Sequence, residues 1–196
     1  MQFLKNHSKL LVIVLLVICG IYGISSYNGL VSLDENVQAK WSEVEVQYQR
    51  RADLIPNLVN TVKGYATHEQ ETFEKLTAMR AKAFQSVPSS APSADELKSF
   101  EETQGTITAA LGRLIAVAEN YPELKANQNF LELQAQLEGT ENRIAVARRD
   151  FNNSVQTFNK TVRRFPGNIM ASILGFSAKA YLQAQDKASQ SPVVSF

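Results

Sequence analysis

The residues best suited to chemistry are a cluster of acids and bases and three arginine pairs. Glu138, Glu141, Arg143, Arg148 and Asp150 crowd one short stretch. Neighbouring carboxylates of this kind can serve general acid–base catalysis or hold a di-metal centre in a helical bundle. The di-metal pattern requires Glu-x-x-His on inward-facing helices. Neither His7 nor His68 follows a glutamate at that spacing. No nucleophile elbow, Walker loop or HExxH string occurs. One cysteine and two histidines leave no thiolate-rich zinc site and no internal disulfide framework. The cluster is therefore expected to form inter-helix salt bridges. No catalytic, metal or cofactor-binding residue is assigned, and no cofactor is expected.

The arginine pairs are Arg50-Arg51, Arg148-Arg149 and Arg163-Arg164. Such pairs can bind lipid headgroups or phosphate. The first two have acids close by, notably Asp53 and Asp150. Arg163 and Arg164 meet no acid until Asp186, which makes them the candidate anionic contact. The competing reading is a solvated helix end, where positive charge suits the helix dipole.

The elements that must position these residues begin with the N-terminus. From Leu10 to Leu33 no side chain is charged, and Leu10 to Cys19 is wholly apolar. About 20 mainly apolar residues in a helix cover a bilayer core. Residues 1–9 form a short basic tail and residues 10–28 the expected transmembrane anchor. Lys5 and Lys9 precede the run, whereas Asp34 and Glu35 follow it. The positive-inside rule then keeps the N-terminus cytoplasmic and places the bulk of the chain outside. Gly23-Ile24-Ser25 is a weak cleavage site, and Ile18 before Cys19 is a poor context for lipidation, so an uncleaved anchor is favoured.

Beyond the anchor the pattern is helical throughout, and no period-2 strand is visible. Val37, Trp41, Val44, Tyr48, Arg51, Ile55, Leu58, Val62 and Tyr65 alternate spacings of four and three, which is a heptad seam. Trp41, the only tryptophan, is expected in the core. Pro88 to Pro92 is a linker. Ser93 to Glu96 is a capping box that opens a second seam: Leu97, Phe100, Gln104, Ile107, Leu111, Leu114, Ala118 and Tyr121. Pro122 stops that helix and suits the start of another turn. Asn127 is expected to cap a third helix, whose stripe is Phe130, Leu133, Leu137, Ile144, Phe151, Phe158 and Phe165. Pro166-Gly167 ends it, and Asn168 would cap a short apolar helix. The expected helices are 29–86, 93–121, 127–165 and 168–175, with a bundle over 29–176 and a C-terminal tail over 177–196. Three stripes on short connections predict an all-α chain: a transmembrane helix followed by an antiparallel bundle of long helices. The first helix would overhang its partner.

Three seam details carry expectations. Arg51 is the one charge on the first seam and is costly to bury unpaired. It is expected to meet Glu141 or, second, Glu138, in a polar layer filling the gap between Leu137 and Ile144. Pro56 removes a backbone hydrogen bond from the first helix. It is expected to mark a helix kink, with a hinge or a free docking carbonyl as the sharper reading. Gly64, Gly112 and Gly139 are expected at close helix approaches.

Several long strings resemble the bacterial LemA family. They are Gln49-Arg50-Arg51-Ala52-Asp53-Leu54-Ile55-Pro56-Asn57-Leu58-Val59, continuing through Thr61 to Ala66 and His68-Glu69. A second is Leu137-Glu138-Gly139-Thr140-Glu141-Asn142-Arg143-Ile144 with Ala147-Arg148-Arg149-Asp150. Phe165-Pro166 and Leu174-Gly175-Phe176 complete it. Ser177 to Tyr181 lacks the prolines usual there. The resemblance implies a single-pass membrane protein with a helical-bundle domain, and it carries over no catalytic residues.

With 20 Lys+Arg against 19 Asp+Glu, the net charge of +1 argues against a nucleic-acid partner. The expected protein is a non-enzymatic scaffold or interaction module in the bacterial cytoplasmic membrane. Its expected partners are the lipid bilayer, further copies of itself and other envelope proteins. An envelope sensor or ligand receptor is the alternative.

Overall fold

The computed structural model describes residues 2–66, 70–85, 87–88 and 90–183, without the side chains of 2–9 and 83–85. His68 and Glu69 lie outside the described residues, as do 184–196, most of the expected tail. The described residues form helices and connections with no strand. In order the helices are α1 (Gln2–Lys63), α2 (Gln70–Gln85), α3 (Ala94–Glu119), α4 (Pro122–Lys125), α5 (Gln128–Arg163) and α6 (Gly167–Leu174). They divide between two compact units. One comprises Gln38–Asn153 and Ala180–Phe196, the other Met1–Val37 and Ser154–Lys179.

The larger unit is a four-helix bundle. Its helix directions follow from its contacts. Arg80 Nε of α2 donates to the Ala52 carbonyl of α1, and Trp41 Nε1 donates to the Pro88 carbonyl, so α2 runs against α1. Trp41 meets Phe100 and Arg51 meets Gln104 and Thr108, so α3 runs with α1. Trp41 meets Phe151 and Arg51 meets Glu141, so α5 runs against both. The arrangement is up-down-up-down.

This corrects the expected helix over 29–86. The chain leaves α1 at Lys63, and Gly64 and Tyr65 form a turn in which Tyr65 N–H bonds the Val62 carbonyl. Tyr65, read as a seam residue, is exposed. At the C-terminal end of α1 the expected overhang is gone, because what lay beyond the turn returns as a fourth helix. Phe73 and Leu76 of α2 are buried with Leu58, Val62, Leu111, Leu114 and Phe130. Burial of such side chains contributes about 1.5–3 kcal/mol each, which offsets the cost of reversing the chain.

The first two seams behave as their spacing dictates. From Val37 to Val62 every first-seam residue is buried, and so is every second-seam residue from Leu97 to Ala118. Trp41 packs edge-on to Phe100 and Phe151 with ring centroids 5.4 and 5.5 Å away, a geometry aromatic pairs favour. Ser93 caps α3 with a full capping box, and Asn127 Oδ1 accepts the Phe130 N–H at 3.1 Å. Pro122 opens the single turn of α4. The linker is tied back to α1, where Gln38 Oε1 accepts the Ala91 N–H at 2.7 Å.

α1 continues as α-helix through Pro56. Proline cannot return a bond to the Ala52 carbonyl, and that carbonyl instead accepts Arg80 Nε at 3.0 Å. The close-approach reading of two glycines is not met: a Cβ added at Gly112 or Gly139 would have nothing within 4 Å.

The smaller unit combines the first part of α1, the end of α5, α6 and the residues up to Lys179. The helix already runs through the expected basic tail, starting at Gln2. The segment from Leu10 is long and apolar enough to cross a membrane. Residues 10–29 are exposed except for Gly23 and Ser26, and Leu30 is buried. α5 ends at Arg163, so Phe165 leaves the seam and stands 75% exposed. α6 starts one residue early, after Pro166. Asn168 lies inside it and caps nothing. Gly167 is obligatory, since a Cβ there would sit 2.6 Å from the Thr161 carbonyl oxygen. Gly175 closes α6 in the left-handed conformation, φ 78°, with its N–H on the Ala171 carbonyl. The residues after it are not a free tail. Asn159 Oδ1 accepts the Lys179 N–H at 2.8 Å, and Asn159 Nδ2 donates to the Lys179 carbonyl at 2.9 Å. Lys179 Nζ pairs with Asp34 at 2.7 Å.

Candidate functional site

The heptad phase of α1 sends Arg51 inward between Tyr48 and Ile55, and it is 1% exposed. A guanidinium carries five donors and must spend them when it leaves water. Nη1 donates to Glu141 Oε1 and to Thr108 Oγ1, each at 3.0 Å. Nη2 donates to Gln104 Oε1 and, at 3.4 Å, to the Gln104 carbonyl. The guanidinium carbon lies 4.9 Å from the Tyr48 ring centroid, within cation–π range. Thr108 Oγ1 in turn donates to the Gln104 carbonyl at 3.0 Å. Glu141 remains 35% exposed, so one edge of this layer is open to water.

A second arginine completes the arrangement. Arg148 Nη1 donates to Tyr48 Oη at 2.9 Å, and Nη2 donates to Glu101 Oε1 at 2.8 Å and to the Gln183 carbonyl. Gln183 N–H also donates to Glu101 Oε1, at 2.9 Å. Burial by itself would lower the Arg148 pKa, but its interactions with Tyr48 and Glu101 outweigh burial and hold it above the ordinary arginine value. Tyr48 therefore serves both cations, its ring facing Arg51 and its hydroxyl accepting from Arg148.

Of the residues expected in the polar layer, the structure brings Arg51 and Glu141 together. Glu138 is elsewhere: it is exposed and accepts only a 3.4 Å bond from Gln134 one turn away. Leu137 and Ile144 are seven positions apart, and the inward place between them is taken by Thr140. Its buried hydroxyl bonds the Gln136 carbonyl at 2.8 Å. Glu101, Gln104, Thr108 and Gln183 were not expected. Gln104 carried a signal, being the polar residue of the second seam as Arg51 is of the first. Gln183 carried none, because its backbone rather than its side chain does the binding.

This arrangement joins α1, α3 and α5 through charge-assisted hydrogen bonds. Arg50 and Arg143 are exposed beside it and, with Gln136, Gly139 and Thr140, line an open depression of about 400 Å³. Among the described residues no group of three His, Cys, Asp or Glu side chains is placed to hold a metal. In the other unit, Arg163 and Arg164 are exposed at the end of α5.

Comparison with known proteins finds relatives over most of the chain. It is 29% identical over 187 residues to the magnetosome protein MamQ 2 of Paramagnetospirillum magneticum, covering 86% of this chain and 68% of that one. It is 28% identical to the magnetosome protein MamQ of Magnetospirillum gryphiswaldense, with the same coverage of both chains. The protein LemA of Metamycoplasma hominis is 27% identical over 159 residues, covering 81% of this chain and 69% of that one. The LemA family model matches residues 40–196, which take in the whole bundle and both arginine-centred networks. The chain belongs to the LemA family.

Proposed function

We propose that this protein is a membrane-anchored scaffold that presents its helical bundle to other envelope proteins and to further copies of itself. The observation that carries this reading is the use of the polar residues in the bundle. Arg51, Arg148, Glu101 and Glu141 spend their hydrogen bonds on one another, on Tyr48, Gln104 and Thr108, and on the backbone, a use that supports helix register rather than chemistry among the described residues. A helix that carries an exposed apolar segment and then the first seam of the bundle ties that rigid surface to a membrane. We take the membrane to be the cytoplasmic one, and Lys5 and Lys9 before the apolar run support an orientation with Asp34 and everything after it outside the cytoplasm.

Crosslinking of the full-length protein in native membranes, followed by mass spectrometry, tests the scaffold reading. Reproducible crosslinks from the bundle to a second copy or to the same envelope proteins are the expected result. Uncrosslinked monomer alone would overturn it. Orientation is read separately, with a reporter fused after Phe196. Activity from a reporter that works only in the periplasm is expected, and fluorescence from one that works only in the cytosol reverses the orientation.

A further inference from the structure

The smaller unit places a second apolar element beside the anchor. Met170 of α6 comes within 3.6 Å of a Cβ built on Gly23, and Gly23 and Ser26 are the only half-buried residues between Leu10 and Gly29. At the same level the rest of α1 is bare: Ile21, Tyr22, Ile24 and Tyr27 are exposed. α6 buries Ala171 and half-buries Met170 and Leu174, and turns its other face outward. That face carries Ile169, 50% exposed, and Ile173, 71% exposed, one helical turn apart, with Phe165 just before the helix at 75%. Three large apolar side chains exposed on and just before so short an element call for a cover.

The geometry points to the lipid interface as that cover: α6 is a second membrane contact that lies in the headgroup boundary beside the anchor, with Arg163 and Arg164 on lipid phosphates. This rests on the anchor reading above. If the span ends near Asn28, Gly23 lies about 7 Å inside it at 1.5 Å per residue. Interfacial helices bury their apolar face about 5–10 Å into this boundary. Tyr22 and Tyr27 flank that level, where tyrosines of membrane proteins concentrate. The basic pair is at a matching height. Asn159 is bonded to Lys179, which pairs with Asp34 beyond the uncharged run. Met170 is level with Gly23 inside the run. Arg163 and Arg164 fall between these two levels, at the edge where phosphates lie. A bilayer explains the apolar face and two arginines that meet no acid among the described residues, whereas a protein partner would have to supply apolar and acidic surface at the same depth.

Spin-label depth measurement on the full-length chain tests this. In a Cys19→Ser background, nitroxides are placed singly through Phe165→Cys, Ile169→Cys and Ile173→Cys, with Gln156→Cys as the water-exposed control and Ile13→Cys in the anchor. All five sites are read in discs of phosphatidylcholine with and without phosphatidylglycerol. A ratio of oxygen to nickel-chelate accessibility several-fold above that of Gln156→Cys at the three α6 sites is expected, with Ile13→Cys deeper still. A water-like ratio at the α6 sites with Ile13→Cys immersed overturns the inference and leaves the anchor standing. A water-like ratio at Ile13→Cys removes the anchor and this inference with it. Dipolar broadening between Ile173→Cys labels of two chains would give the face to a second copy and overturn the lipid assignment. Adding Arg163→Gln and Arg164→Gln should make the Ile173→Cys site shallower only where phosphatidylglycerol is present. An unchanged reading there overturns the phosphate role.

Discussion

Arg51 Nη1 donates to Glu141 Oε1 at 3.0 Å, joining α1 to α5 across 90 residues of sequence. The two partners are unequal: Arg51 is 1% exposed and the Glu141 side chain 35%. Breaking a buried ion pair costs about 3–5 kcal/mol because the survivor is stranded. Glu141 can turn to water if Arg51 is lost, whereas Arg51 cannot. Arg51→Met should therefore fall near the low end of that range, its main cost being the unpaired Gln104 amide. Glu141→Gln should cost at least as much, since it leaves the buried guanidinium without a counter-charge, although Gln104 and Thr108 still accept from it. A urea-denaturation double-mutant cycle should give a coupling of about 0.5–3 kcal/mol, as for other contacting pairs. A coupling of zero would mean that Gln104 and Thr108 satisfy Arg51 without Glu141.

The segment after α6 is held by two asparagine side chains that imitate a strand. Asn159 clamps the N–H and carbonyl of Lys179, and Asn152 clamps those of Leu182 at 2.9 and 2.8 Å. Asn159→Leu should speed exchange of the Lys179 amide about thirtyfold, and Asn152→Leu that of Leu182, from the loss of two bonds at about 1 kcal/mol each. Amide exchange read residue by residue checks this, and each substitution should act mainly on its own partner.

The glycines should separate by sign. Gly112 and Gly139 sit in helix interiors with open space where a Cβ would go. Gly112→Ala and Gly139→Ala should each stabilise by about 0.5–1 kcal/mol, because glycine loses more backbone freedom in a helix. Gly167→Ala meets the Thr161 carbonyl oxygen at 2.6 Å and should destabilise. Gly175→Ala would strain the left-handed residue that ends α6 by about 1–2 kcal/mol. Thermal unfolding of the four variants reads the difference.

The α3 cap should make stability depend on acid. Hydrogen bonds from the Ser93 backbone N–H and then its hydroxyl hold Glu96 below the usual glutamate pKa. A carboxylate with a lowered folded pKa stabilises the fold above its unfolded pKa, and that contribution fades as pH falls through the folded value. Glu96→Gln should therefore flatten the stability profile below the ordinary glutamate range and leave its slope at neutral pH unchanged. Ser93→Ala should cost about 1 kcal/mol at neutral pH. Denaturation midpoints across the acid range check both.

Which residues face inward on α1 and α3 was legible in the sequence, and so were the exposed apolar segment from Leu10 and the start of α3. Each is a local matter. Heptad spacing decides which side of a helix is apolar, and Ser93 and Glu96 meet their backbone partners within a single turn. The reversal after Lys63 was not legible, because the apolar spacing carries on through Tyr65 with no proline to stop it. The turn is stabilised instead by distant partners: Phe73 and Leu76 bury against α3, and Arg80 takes the carbonyl freed at Pro56. The same holds for the polar layer. Sequence marks Arg51 as needing an acceptor, since a buried guanidinium must spend its donors. Only the tertiary structure decides that Gln104, Thr108 and Glu141 supply the acceptors and Glu138 does not. Helical phase turns Glu138 outward, three residues short of the carboxylate that reaches the core. The C-terminal segment lies furthest from any sequence rule. Asn152 and Asn159 bind whatever backbone passes within reach, and backbone groups have no sequence signature.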